Sequence, residues 1–255
     1  MFKRAKRILE AFRDAGANEE MRFRQLLRAG KWILPKYRFT WPQLAWWLDN
    51  GFNGYLKRFN ELEGANTHRR WTVYQLTRLV VEVPGDTVEC GVFEGAGSYL
   101  ICRSVIDTNH SRTHFMFDSF EGLSAPVAMD GTYWKEGHLS CSLEKAKANL
   151  ADLDKISWKK GMIPTRFEEV QDRAFAFVHI DVDLYEPTRD SIRFFYPRMN
   201  QGGIIVCDDY GFTTCPGATL AIDEFLAEKP EKMIGLPSGG GFLIKGCRTG
   251  NPIAL

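Results

Sequence analysis

The chain has 255 residues, 44% hydrophobic and 25% charged, an ordinary globular composition long enough to bury one large core. Its formal net charge of +1 supplies none of the concentrated basic surface that phosphate binding needs, so no nucleic-acid partner is expected. No apolar run approaches the roughly 18 residues of a membrane span, and the basic start MFKRAKRILEAFRDAG has no uninterrupted apolar stretch of the signal-peptide kind.

Six cysteines, Cys90, Cys102, Cys141, Cys207, Cys215 and Cys247, are scattered without CxxC pairs, several of them inside apolar runs. Small buried thiols suit such runs, and a reduced, cytoplasmic protein is expected.

Residues 1–66 are rich in basic and aromatic side chains, as in KWILPKYRFTWPQLAWWLDNGF, and Phe2, Ala5, Leu9 and Phe12 recur at helical spacing. This predicts a helical N-terminal extension. It serves as a lid, as a surface helix with lysine and arginine on its polar face, or as a packing face between subunits of a homo-oligomer. Residues 67–255 form the main domain.

Within that domain short apolar runs alternate with helical ones. DTVECG (86–91), HFMFDSF (114–120), KISWKKG (155–161), FAFVHID (175–181) and GGIIVCDD (202–209) read as strands, with SYLICRSVI, SLEKAKANL and TRDSIRFFYPRM as helices between them. Alternation of this kind predicts an α/β fold with a mostly parallel sheet covered on both faces. The stretch KMIGLPSGGGFLIKG reads as two strands about a glycine-rich turn, an antiparallel hairpin at the sheet edge. Ligands of such sheets bind beyond the carboxyl ends of the strands.

Chemistry-bearing residues collect at those ends. In ECGVFEGAGSYL (89–100), Gly91, Gly95 and Gly97 permit a tight strand-to-helix turn and close approach of a ligand to the backbone. The stretch is not a strict GxGxxG, and a turn without a ligand reads the same way. Glu89 suits a cationic part of a ligand: a dinucleotide pyrophosphate disfavours an acid there, whereas the sulfonium and α-amino groups of S-adenosylmethionine favour one. Asp118, in FDSFEGL, is placed to accept hydrogen bonds from both ribose hydroxyls of an adenosine.

Asp181 ends the fourth strand and Asp208 and Asp209 end the fifth. Three adjacent carboxylates repel one another and raise each other's pKa. A hard cation, magnesium or calcium before zinc, removes the conflict; a salt-bridge cluster with Arg189, Arg193 or Arg198 is the competing reading. Asp183 shares the face of Asp181 only if the strand continues. His179 reads equally as buried structure or catalytic group, and His68, in NTHRRW, as a lid over the cofactor or a solvated turn. Tyr185 and Tyr210 flank the acids and shape an acceptor pocket or simply pack.

The motifs VPGDTVECGVFEGAGS, FDSFEGL, HIDVDLYEPTRDS and GGIIVCDDYG, followed by CPGA and AIDEF, resemble those of the macrocin O-methyltransferase family, sugar O-methyltransferases known from macrolide antibiotic pathways. The resemblance covers roughly residues 65–245. It implies a Rossmann-like class I methyltransferase fold, S-adenosylmethionine as methyl donor and a magnesium site at Asp181, Asp208 and Asp209. The donor positions it implies are Glu89 and Gly91, Asp118 on the ribose, and Ser142 with the Lys160-Gly161 turn near the adenine; Gly95, Ser98 and Ser119 complete the expected set. The acceptor is then a hydroxyl of a sugar, glycoside or related natural product, or alternatively of a catechol or phenol. Asp181 is expected to draw off its proton, with Asp183 or His179 as other bases. The DxD pattern at 181–183 admits a metal-dependent glycosyltransferase, and the basic aromatic N-terminus a non-enzymatic scaffold on a membrane surface.

Overall fold

The structure, a computed structural model, describes residues 2–16, 18–33, 44–62, 66–105 and 111–250. The chain divides into two compact units, Met1–Gly54 and Tyr55–Leu255. The first holds helices α1 (Phe2–Asp14) and α2 (Glu19–Ile33) and a short helical turn at Ala45–Leu48; α3 (Asn50–Arg58) begins in it. In α1 the apolar stripe leaves Ile8 and Phe12 half-buried while Lys3, Lys6 and Arg7 stay in water, the usual division of an amphipathic helix. At the start of α2, Asn18 Oδ1 accepts from Met21 N at 2.9 Å, satisfying a first-turn donor.

The division falls before residue 66 because residues 55–62 are tied to the second unit. Tyr55 donates to the Ala96 carbonyl at 3.1 Å, Arg58 to Asp152 at 2.7 Å, and Glu61 pairs with Arg70 at 3.0 Å.

The second unit continues with α4 (Thr67–Thr77), β1 (Asp86–Cys90), α5 (Ala96–Val105), β2 (His114–Asp118), α6 (Leu143–Asn149), β3 (Ile156–Lys160), β4 (Phe175–Ile180), α7 (Tyr185–Phe195), β5 (Met199–Cys207), α8 (Pro216–Leu226), β6 (Ile234–Gly235) and β7 (Gly241–Ile244). The sheet order is β3-β2-β1-β4-β5-β7-β6. Strands β1 to β5 are parallel, and β7 runs antiparallel to β5 and β6. This is the mostly parallel class I methyltransferase sheet with its antiparallel edge.

Central strands β1 and β4 are buried along their whole length, as a sheet covered on both faces requires; β4 is a near-continuous apolar run, whereas β1, DTVEC, buries Asp86, Thr87 and Glu89. One face packs α7 through Ile192 and Phe195, both fully buried. Phe195 meets Phe167, Phe175 and Phe117 edge-on at centroid distances of 4.9, 5.2 and 5.9 Å. Truncating such a ring to alanine typically costs about 3–5 kcal/mol.

The strand pattern does not announce α8, whose buried residues Gly217, Ala218 and Ala221 are too small to mark an apolar stripe. They are small because α8 lies close to α7: a Cβ on Gly217 would come 2.9 Å from Tyr185 Cβ.

Register positions the functional edge. Cys90 aligns with Ile180, and Ile180 with Cys207. The next residues continue the ladder: Asp181 N donates to Cys90 O and Asp208 N to Ile180 O, each at 2.8 Å. Three strands therefore end level, and the acids that follow two of them emerge side by side.

Candidate active site

A cavity of about 380 Å³ opens at this level. Of the expected residues Glu89, Gly91, Asp118, Ser119, Asp181 and Asp209 line it. Ser98 sits fully buried behind Glu89, and Asp208 is buried beside His179. Gly161 borders a second, shallower cavity that shares Ser119 and Met162 with the first. Ser142 is the N-cap of α6, accepting from Lys145 N at 3.2 Å, and Gly95 carries the turn into α5 at φ +93°.

At the β1 tip the backbone needs glycine twice. Gly91 has φ +85°, and a Cβ there would lie 1.8 Å from the Asp181 carbonyl oxygen; at Gly97 it would lie 1.9 Å from Glu89 Oε1. Glu89 is 1% exposed. Ser98 Oγ donates to its Oε2, and His179 Nδ1 is 2.9 Å from its Oε1. Behind Ser98 stands His114, with Nε2 3.0 Å from Ser98 Oγ and Nδ1 2.8 Å from Thr87 Oγ1. Burial pushes the His114 imidazole down to about 4.

Asp118, at the β2 tip, accepts from Val92 N at 2.7 Å and Phe93 N at 2.8 Å through Oδ2, and from Phe120 N at 2.6 Å through Oδ1. It thus fastens the glycine turn to β2. A carboxylate has about four lone-pair sites, so capacity remains for a ligand hydroxyl.

The β4 and β5 tips are built from formal charges. Arg69 pairs with Asp208, and Arg70 Nη1 lies 3.7 Å from Asp181 Oδ2 while its other nitrogens grip Glu61 at 3.0 and 3.1 Å. Two of the three arginines expected from sequence turn elsewhere: Arg189 to Asp190 at 2.8 Å and Arg198 to the Phe194 carbonyl at 2.7 Å. The neutralising pair comes instead from α4, within NTHRRW, which is helical rather than a solvated turn. The sequence signal was two adjacent arginines beside a glycine-poor helical stretch, with nothing to say which acids they meet.

His179 is fully buried, and its Nε2 lies 3.6 Å from Asp208 Oδ1. Burial disfavours its charge, but Asp208 and Glu89 outweigh burial and hold it protonated up to about 10. Burial likewise opposes the Asp208 charge, yet His179 and Arg69 keep its carboxyl below the usual carboxylate range. Burial and the adjacent Asp208 charge push Asp181 up to about 7; burial pushes Asp183 up to about 6. Asp209 is driven well above its ordinary value by burial and the charges of Asp183 and Asp181.

The acids form two groups. Asp181 and Asp208 lie with His179, and Asp183 and Asp209 with Cys215, the ligand atoms of each group within 4.8 Å of one another. Asp209 Oδ2 also accepts from Val182 N at 3.1 Å and Asp183 N at 2.7 Å, which holds Asp183 at φ +60°. Buried carboxylates whose charges oppose one another, with an oxygen-rich donor set, suit a hard cation. Each group therefore fits a hard cation such as magnesium, and the expected ligands are divided between the two, Asp181 and Asp208 in the first and Asp209 in the second.

Phe93, Leu139, Trp134 and Met162 form an apolar part of the lining. Trp134 Nε1 donates to Cys215 Sγ at 3.3 Å, joining that wall to the acids. Tyr185 and Tyr210 bond to α8, to Glu224 at 2.7 Å and Asp223 at 2.8 Å, the packing role. His68 sits in the first turn of α4, half-buried.

Residues 70–233 match the family described as Macrocin-O-methyltransferase (TylF). The chain belongs to the macrocin O-methyltransferase family. Within it, the chain is similar to the demethyldecarbamoylnovobiocin O-methyltransferase of Streptomyces niveus, 31% identical over 57% of this chain and 60% of that one. It is also similar to the 8-demethyl-8-(2,3-dimethoxy-alpha-L-rhamnosyl)-tetracenomycin-C 4'-O-methyltransferase of Streptomyces olivaceus, 32% identical over 56% and 59%. The matches span about three fifths of the length of these relatives. Among solved structures, the O-methyltransferase NovP superposes with a TM-score of 0.57 at 26% identity, covering 69% of this chain and 79% of that one. The calicheamicin methyltransferase CalS11 shares the fold, with a TM-score of 0.62 at 19% identity over 95% and 91%.

Proposed function

We propose that this member of the macrocin O-methyltransferase family is a magnesium-dependent enzyme that moves a methyl group from S-adenosylmethionine to a hydroxyl of a sugar, glycoside or related natural product. The observation that carries the reading is the level ending of β1, β4 and β5, which brings an acid suited to an ammonium and a cluster of acids suited to a cation to one cavity. The named activities of the relatives support the chemistry.

In this reading Glu89 accepts from the donor's amino group, Asp118 from its ribose hydroxyls, and Gly91 lets the donor approach the backbone. Gly95, Ser98 and Ser119 shape that surface, and Ser142 and Gly161 border the adenine. With the donor held by these residues, much of the rate would come from aligning the acceptor oxygen with its methyl group. Asp181, Asp208 and Asp209 would be the side chains to hold magnesium, which when bound would supply Lewis acidity favouring alkoxide character in the acceptor. Asp181 draws off the hydroxyl proton through an oxygen not engaged in ligation, with Asp183 as the other base in reach; His179, fully buried and held protonated, is not placed to take it.

The apolar wall of Phe93, Trp134, Leu139 and Met162 favours catechols or phenols as the second reading, because an aromatic acceptor would pack there. The glycosyltransferase reading loses support: Asp181 and Asp183 fall in different groups rather than forming one diphosphate-holding pair. Among the described residues no helix is long and apolar enough to cross a membrane, and all six cysteines are free; we take the protein to be cytoplasmic, with the N-terminal extension as a lid or the interface of a homo-oligomer.

Mass spectrometry of sugar nucleotides, glycosides and catechols incubated with the protein and S-adenosylmethionine tests the reading. The expected result is a gain of one CH₂ on a glycoside, abolished by chelator and restored by magnesium. Transfer to catechols alone replaces the acceptor class, and full transfer in chelator with no bound metal removes the cation.

A further inference from the structure

Glu89 and Asp208 belong to different functions, one facing the donor and the other the acid cluster, and they sit on strands that do not touch. Strand β4 lies between them. Its residues Phe175, Ala176, Phe177, Val178 and Ile180 are apolar and buried, and the one polar residue, His179, is buried as completely. A polar ring in the middle of such a strand costs desolvation free energy unless its partners compensate. Those partners are the two carboxylates, Glu89 Oε1 at 2.9 Å from Nδ1 and Asp208 Oδ1 at 3.6 Å from Nε2.

The two contacts are unequal. The Glu89 contact is a full hydrogen bond. The Asp208 contact lies just beyond hydrogen-bond length, and Nε2 has no other hydrogen-bond partner. An imidazole is rigid, so a displacement of a few tenths of an ångström at Asp208 makes or breaks the second bond and turns the ring against Glu89. The carboxylate of Glu89 has little freedom to ignore that turn, since Ser98 Oγ holds its other oxygen and Gly97 backs it without a Cβ.

We propose that His179 is a positioning residue that couples Glu89 to Asp208, so that the state of the acid cluster sets the affinity for the methyl donor. The coupling rests on the reading of Glu89 as the contact of the donor's amino group. It requires no ion, because the ring and both carboxylates belong to this chain.

The test is a double-mutant cycle by calorimetry on the full chain in chelator, titrating S-adenosylmethionine into wild type, Asp208→Asn, His179→Gln and the double variant, with melting temperatures recorded for each. Asp208→Asn is expected to weaken donor binding about fivefold or more, the lower end of ordinary intersite coupling, and to have less than about a twofold effect once His179 is Gln. A histidine that merely fills the core would move the melting temperatures and leave this difference at zero. Equal effects of Asp208→Asn in both backgrounds, or no effect in wild type, overturn the coupling. Should His179→Gln fail to fold, the shift of the His179 ring nitrogen resonances on adding donor decides: it differs between wild type and Asp208→Asn if the coupling holds and is the same in both if it does not. A chain that binds no donor at all overturns the donor reading and the coupling with it, whereas a chain that binds donor without the cycle's difference overturns the coupling alone.

Discussion

Two buried histidines flank the strand that carries Glu89, and their affinities for a proton are shifted in opposite senses. His114 on β2 is pushed down to about 4, while His179 on β4 is held up to about 10. Burial acts the same way on both rings. What differs is the company: the partners of His114 are the hydroxyls of Thr87 and Ser98, and those of His179 are the carboxylates of Glu89 and Asp208. The contrast extends to the two halves of the site. On the β1 and β2 side Asp118 is satisfied by backbone N–H groups. On the β4 and β5 side the acids meet guanidinium groups carried by a helix. Backbone donors are fixed by the fold, whereas side-chain charges exchange partners, so Asp118 is held in place, as is Asp209 through Val182 N and Asp183 N, and Asp181 and Asp208 are the acids whose partners can change.

The largest expected effect breaks the acid half. Asp181→Asn should lower turnover by roughly a hundredfold to ten-thousandfold, the range for a lost general base, with excess magnesium failing to restore it. Asp208→Asn should instead recover in part as magnesium is raised, and donor binding measured alongside separates ligation from catalysis. Full recovery of Asp181→Asn would confine that residue to ligation and move the base to Asp183.

On the donor half, Asp118→Ala removes charge-assisted hydrogen bonds worth about 1.5–3 kcal/mol. Donor affinity by calorimetry should fall accordingly, and the melting temperature should fall too, because Val92, Phe93 and Phe120 lose their acceptor. Weaker binding without a lower melting temperature would show that the turn holds itself.

The smallest effect concerns pH. His114 is neutral in the folded chain down to about 4, while the unfolded chain takes up its proton near 6.5. Between those values the unfolded state binds more protons, so this residue contributes stability that is complete above 6.5 and declines as pH falls. Between pH 6.5 and 5 the loss is about 2 kcal/mol. Denaturant unfolding of wild type and His114→Gln across that range should show a steeper decline in the wild type. Parallel curves would mean that His114 is charged in the folded state, and the contrast between the two histidines would fail.

The strands were legible because their signals are local. FAFVHID was expected over 175–181 and β4 spans Phe175–Ile180, with the acid one residue beyond; the hairpin around the glycine-rich turn is likewise found. Glu89, Asp118 and the acids could be read because glycine turns and strand-ending carboxylates sit where the local pattern changes. Arg69 and Arg70 could not. Arg69 meets an acid 139 positions away in sequence, a pairing that depends on where α4 docks, and strand periodicity carries no information about docking. The grouping of Asp209 with Asp183 and Cys215 rather than with Asp181 was equally hidden, since it depends on how the separate loops after β4 and β5 come together.

The two ends of the sheet differ from its middle in how they meet other chains. Exposed edges with unpaired backbone groups recruit strands from neighbouring molecules unless they are shortened or charged. Here β3 ends in Lys159 and Lys160, and β6 has only two residues, Ile234 and Gly235, with Pro237 soon after. Among the described residues the sheet therefore offers a neighbouring copy no long apolar edge on which to add a strand.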